Sequence, residues 1–165
     1  MLAGVGVLPY RNTIKQVVAD GCKRILEIGC ADGASTRLLC TELQAAGVAL
    51  TAGAAADCSD GEGWVVGLDT GKRCITNAIK QGPAVIQYGV VDGWDIHSLM
   101  RMAEGVDAIY IDVGGISGTD GLFEALALLR LLEAAFKPTL RYLVFKSRCL
   151  ADHAGAYSHA DLILR

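Results

Sequence analysis

The stretch Arg24-Ile-Leu-Glu-Ile-Gly-Cys-Ala-Asp-Gly-Ala-Ser-Thr-Arg37 constrains the fold more than any other part of the chain. Ile25 to Ile28 is an apolar run interrupted by one acid, Glu27. It passes through Gly29-Cys-Ala-Asp-Gly33 into a helical pattern of Leu38, Leu39 and Leu43. This reads as strand, tight turn and helix. Gly29 and Gly33 can take the positive φ angles the turn needs and let a ligand come close to the backbone, while the free N–H groups of the new helix face that ligand.

The other apolar runs repeat this alternation. Trp64-Val-Val-Gly-Leu-Asp69 reads as a second strand closed by an acid, and Ala84 to Val91 as a third leading into Asp92-Gly-Trp-Asp95. Val106 to Asp112 is a fourth strand and Arg141 to Lys146 a fifth. Before the first strand, Asn12 or Thr13 is expected to cap a short helix through Ile14, Val17 and Val18. A helix from Lys72 to Ile79 should stop at Gly82-Pro83, and another should run through Ile96, Leu99, Met100 and Ala103 with His97 on its surface. Ser117-x-x-Asp120 reads as a capping box for a long helix ending before Pro138, with Phe123, Leu128 and Leu131 widening its buried stripe. Residues 48–63, small and polar, are expected to form a surface loop longer than the usual connection.

At 165 residues the chain fits one domain, 1–165, with a core over 10–150 and a shortened part over 147–165 that ends in a strand near Ala160–Arg165. The fold class expected is α/β, a doubly wound and mostly parallel sheet of order 3-2-1-4-5 with helices on both faces. In such a sheet the strand ends border the ligand crevice. Asp69 can there accept both hydroxyls of a ribose, or it can cap the next helix, a role Thr70 could fill equally well. Asp92 can accept from an exocyclic amine or merely end its strand, Trp94 can add a flat apolar face, and Asp95 can cap the following helix.

Glu27-x-Gly29-x-Ala31-x-Gly33 resembles the first motif of the Rossmann-like S-adenosylmethionine-dependent methyltransferases, E/D-x-G-x-G-x-G, with alanine for the middle glycine. The G-x-G-x-x-G spacing of dinucleotide-binding turns is absent. The resemblance implies S-adenosyl-L-methionine as cofactor, with Glu27 toward its cationic methionine end and Gly29, Cys30, Ala31, Asp32 and Gly33 forming the turn. It implies Asp69 and Thr70 at the ribose, and Asp92 and Trp94 at the adenine. Asp112 and Lys146 resemble the D and second K of the K-D-K-E set in FtsJ-like RNA ribose 2′-O-methyltransferases; Lys15 matches the first K poorly, and no glutamate follows Glu133. Methyl transfer to oxygen, on an RNA ribose or a small molecule, is the activity implied, with Lys146 as base or as holder of the acceptor oxygen and Asp112 orienting it. An Asp–Lys pair that shapes the site without moving a proton is the plainer alternative. Lys146-Ser147 stands where metal-dependent relatives carry Asp-Asn, so no metal is expected, and Val113-Gly-Gly-Ile lacks the Pro-Pro-aromatic element of many enzymes acting on amino groups. A second reading is a catalytically reduced domain that serves as a binding or structural subunit of a larger complex.

A net charge of −3 and the lack of any run of Lys and Arg weigh against general attraction to phosphate backbones. Six scattered cysteines without a C-x-x-C pair suggest buried thiols in a reducing, cytoplasmic setting. No apolar run is long enough to span a bilayer, and Met1 to Pro9 lacks the basic start of a signal peptide. A short C-terminus is expected to leave one sheet edge unpaired, which would favour a homodimer or a larger complex.

Overall fold

The structure, a computed structural model, describes residues 2–4, 6–53, 61–114 and 121–155. In chain order its elements are β1 (Leu2–Gly4), α1 (Val7–Ala19), β2 (Arg24–Ile28), α2 (Ala34–Ala45), β3 (Ala49–Leu50), β4 (Glu62–Asp69), α3 (Lys72–Gln81), β5 (Gln87–Val90), α4 (Ile96–Met102), β6 (Ala108–Ile111), α5 (Leu122–Phe136), β7 (Tyr142–Lys146) and α6 (Arg148–Gly155). The sheet runs β1-β7-β6-β2-β4, and the outer edge of β4 carries β3 near its start and β5 near its end. Every pairing is parallel. The expected order 3-2-1-4-5 is present as β5-β4-β2-β6-β7.

Parallel strands covered on both faces need apolar side chains on both, and β2, β4 and β6 have them. Leu26, Ile28, Val66, Leu68, Ile109, Ile111 and Phe145 face α4, α5 and α6, through Leu99, Leu128, Leu132, Phe136 and Leu150. Ile25, Val65, Tyr110 and Val144 face α1 and α2, through Tyr10, Ile14, Val17, Leu39 and Leu43. The result is a three-layer sandwich with the C-terminal strand ends shared by Gly29, Asp69, Asp92, Asp112 and Lys146, each the last residue of its parallel strand or one or two residues beyond it.

Several boundaries differ from the sequence reading. The first helix begins at Val7, well before Asn12, because Pro9 falls in its first turn, where no backbone donor is required. Residues 48–63 are not all loop: Ala49 and Leu50 pair with Glu62 and Gly63, and residues 54–60 lie outside the described set. The third strand is only Gln87–Val90, since Pro83 to Ile86 form a turn closed by Ile86 N–H donating to the Pro83 carbonyl. Phe123 is 80% exposed and does not join the buried stripe of α5, which runs through Ala125, Leu128, Leu132 and Phe136. Phe123 lies two residues before Ala125, about 200° around the helix. The capping box Ser117–Asp120 and the strand at Ala160–Arg165 fall outside the described residues.

The edge of β7 expected to be free is occupied. Leu2, Ala3 and Gly4 pair in parallel with Val144, Phe145 and Lys146. The apolar start of the chain carried no visible strand signal, because three residues are too few for an alternation to register. This pairing removes the argument for a dimer through β7.

Candidate cofactor cleft

One cleft of about 180 Å³ opens at the C-terminal strand edge. It is lined by residues from four neighbouring strand ends and one helix: Ile28 and Gly29, Asp69 and Thr70, Val91 to Trp94, Asp112 to Gly114, and Leu128. The turn after β2 is held tightly against its neighbours. Gly29 and Cys30 N–H both donate to the Leu68 carbonyl, at 2.8 and 3.0 Å, and Gly33 N–H donates to the Cys30 carbonyl. Gly29 has φ +81°, and a Cβ there would stand 2.1 Å from the Asp112 carbonyl oxygen. Only glycine lets β2 and β6 end so close together. Gly33, at φ +77°, likewise leaves room for the Tyr88 ring, whose hydroxyl would be 2.5 Å from a Cβ.

Ala31 is the single non-glycine with positive φ among the described residues, at +49°. An L-residue in the left-handed region is strained by about 1–2 kcal/mol, partly offset in a glycine by greater freedom of the unfolded chain. Ala31→Gly is therefore expected to raise stability by about 1 kcal/mol in urea denaturation. A loss of that size would contradict the strain.

Asp69 is engaged on both oxygens: Ala31 N–H donates to Oδ2 at 2.9 Å and Gly71 N–H to Oδ1 at 2.7 Å. It thus ties the glycine turn to the start of α3, and each oxygen keeps a second lone pair for a hydroxyl. Asp92 Oδ1 accepts from Trp94 N–H at 3.0 Å, which folds the loop so that Trp94, 43% exposed, borders the cleft. Asp95 caps α4, accepting from Ser98 N–H at 3.1 Å, so the two acids of this loop divide their tasks. Asp112 lines the cleft and accepts on Oδ2 from Lys146 Nζ at 2.8 Å; Lys146 is not itself a lining residue, and each side chain is about a quarter exposed.

Of Glu27, Asp112 and Lys146, all three expected near one crevice, Asp112 lines the cleft, Lys146 reaches it only through its bond to Asp112, and Glu27 does not border it. Ile28 borders the cleft, and because successive strand residues point to opposite faces, Glu27 turns toward α1 and α2. There it is 2% exposed, accepting from the Tyr10 hydroxyl at 3.1 Å and the Thr36 hydroxyl at 2.5 Å. Gly67 of β4, in register with Glu27, leaves the room that Thr36 and Tyr88 occupy. Burial pushes the Glu27 carboxyl up to about 7, the two hydroxyls pulling it partly back. Cys30 is buried, and burial pushes its thiol well above the usual range. Asp32 is exposed and offers its carbonyl to Arg37. Neither they nor Ala31 and Gly33 line the cleft, although they form the turn beside it. Lys15 is exposed on α1.

Tyr10 and Thr36 as partners of Glu27 were not legible, since neither belongs to a spacing pattern. Val91, Val113, Gly114 and Leu128 as lining residues were equally hidden; their positions follow only from strand register. The residues present fit a nucleoside. Two carboxylates with spare acceptor capacity and an indole stand along one wall, and Gly114 leaves open space where a Cβ would be.

No protein-family model and no curated protein matches the sequence. Solved structures do match. The fibrillarin/Nop5p complex aligns at TM-score 0.51 and 15% identity, over 78% of this chain and 55% of that one. SAM-bound CalS10, an amino pentose methyltransferase from Micromonospora echinaspora, aligns at 0.52 and 16% over 84% and 49%. The plantazolicin methyltransferase BpumL in complex with SAH aligns at 0.54 and 16% over 92% and 51%. The chain spans about half the length of these structures. Its fold is that of the Rossmann-like class I methyltransferases.

Proposed function

We propose that this chain is an S-adenosylmethionine-dependent methyltransferase acting on an oxygen, of an RNA ribose or a small molecule. The observation that carries this reading is the convergence of Asp69, Asp92 and Trp94 with Asp112 around one cleft, Lys146 standing behind the wall as the partner of Asp112. When bound, the cofactor supplies an electrophilic methyl group on a sulfonium. The chain's part is alignment. Asp69 and Thr70 receive the ribose hydroxyls, Asp92 accepts from the adenine amine, and Trp94 covers the ring. The Gly29–Gly33 turn admits the methionine portion. At the acceptor end, Lys146 Nζ donates to the acceptor oxygen while Asp112, bonded to it, fixes its direction and can accept the acceptor's proton. No three His, Cys, Asp or Glu side chains gather as a metal site among the described residues.

A second reading is a reduced domain that works as a subunit of a larger complex, supported by the likeness to a chain solved in the fibrillarin/Nop5p complex. We also infer a reducing, cytoplasmic setting from the thiols of Cys22, Cys30, Cys40 and Cys74 among the described residues. No helix among the described residues is long and apolar enough to cross a membrane.

Calorimetric titration with S-adenosylhomocysteine separates the two readings. The enzyme reading expects micromolar binding by the parent, weakened at least tenfold by Asp69→Ala. A folded parent that binds nothing would overturn it and leave the subunit reading in front.

A further inference from the structure

Glu27 is a buried acid whose two oxygens are held by hydroxyls rather than by a cation. Tyr10 belongs to α1 and Thr36 to the first turn of α2, so the carboxyl joins both helices to β2. The helix it holds through Thr36 begins where the Gly29–Gly33 turn ends. Any change in the bonding of Glu27 is therefore felt at the turn that borders the cleft.

The groups around it leave few charges. Arg11 on α1, whose Nε donates to Ser35 of α2 at 3.0 Å, favours the ionised carboxyl, and Asp112 opposes it. Tyr10 on α1, Tyr88 on β5, Tyr110 on β6 and Cys30 in the turn all have their protons held more firmly by burial, so they stay neutral near pH 7. A buried acid in such a setting releases its proton more readily when positive charge is brought near.

We propose that Glu27 is a positioning residue of the cofactor turn that reads the charge of the ligand: it passes a proton to solvent when cationic S-adenosylmethionine enters the cleft, and takes one back when the neutral thioether product remains. This rests on the proposed cofactor. The two ligands share their amino-acid charges and differ at sulfur, so the difference between them isolates the effect. An ionised Glu27 also strengthens the Tyr10 and Thr36 hydrogen bonds, which tightens the turn around the methyl donor and relaxes it around the spent one.

Calorimetry of the full chain at pH 7 in two buffers of different ionisation enthalpy tests this. The parent should release up to roughly half a proton on binding S-adenosylmethionine, because a group titrating near pH 7 is about half protonated there. It should release clearly less with S-adenosylhomocysteine. Glu27→Gln should bind both ligands with no such difference. Tyr10→Phe removes one donor to the ionised form and should move the pH of greatest release upward, which a merely structural role would not do. Binding of both ligands with equal proton exchange in the parent, or an unchanged difference in Glu27→Gln, would overturn the coupling alone. Failure of both ligands to bind the folded parent would overturn the cofactor reading and this inference with it.

Discussion

Gly29→Ala is expected to destabilise the fold by about 4 kcal/mol, the sum of a left-handed backbone penalty and a forced separation of two core strands. The added Cβ would meet the Asp112 carbonyl carbon at 2.6 Å as well as its oxygen at 2.1 Å, and both are backbone atoms that cannot rotate away. Relief requires moving the end of β6 from β2, where Asp112 N–H donates to the Ile28 carbonyl at 2.9 Å. Asp112 and Lys146 would move with it. Urea denaturation measures the cost. A loss below about 1 kcal/mol would mean that the strand ends are looser than described.

The second large effect is a dependence of stability on pH. Glu27 has its carboxyl raised from 4.5 to about 7 in the fold, chiefly by burial. Between those values the folded chain holds a proton that the unfolded chain has lost, so stability falls as pH rises. The contribution of this group is fully present below pH 4.5 and gone above the folded value. The loss is on the order of 3 kcal/mol for a fully buried group. Glu27→Gln should flatten this part of the profile and be the more stable protein at pH 8. Denaturation midpoints for both proteins across pH 5 to 8 test it. A level profile for the parent, or parallel slopes for the two, would contradict the burial of an unpaired acid.

The site was more legible than its periphery for a physical reason. Acids at strand ends are readable because a parallel sheet puts all its C-terminal ends on one edge, so Asp69, Asp92 and Asp112 could be assigned there from the alternation of strands and helices alone. Glu27 could have been read differently. It is next to Ile28, and the two-residue period of a strand means that if Ile28 borders the cleft Glu27 cannot. What makes its burial tolerable is a pair of hydroxyls, Tyr10 and Thr36, from two helices, and no spacing rule announces such partners. The pairing of Leu2–Gly4 with β7 was hidden for the same kind of reason: its support comes from a neighbour far along the chain rather than from its own sequence. Phe123 shows the opposite error, a large apolar residue assigned to a buried stripe although its angular position on α5 turns it outward.

In the proposed function a nucleoside-bearing cofactor lies across the ends of β2, β4, β5 and β6. Amide chemical shifts of isotope-labelled protein, followed as S-adenosylhomocysteine is added, test it residue by residue. Saturable shifts are expected at Gly29, Thr70, Gly93, Trp94 and Gly114, which border the cleft. Asp20 and Asp107, at the opposite ends of the strands, should stay unmoved. A folded protein whose spectrum does not change, or whose shifts gather at Asp20 and Asp107 instead, would contradict it.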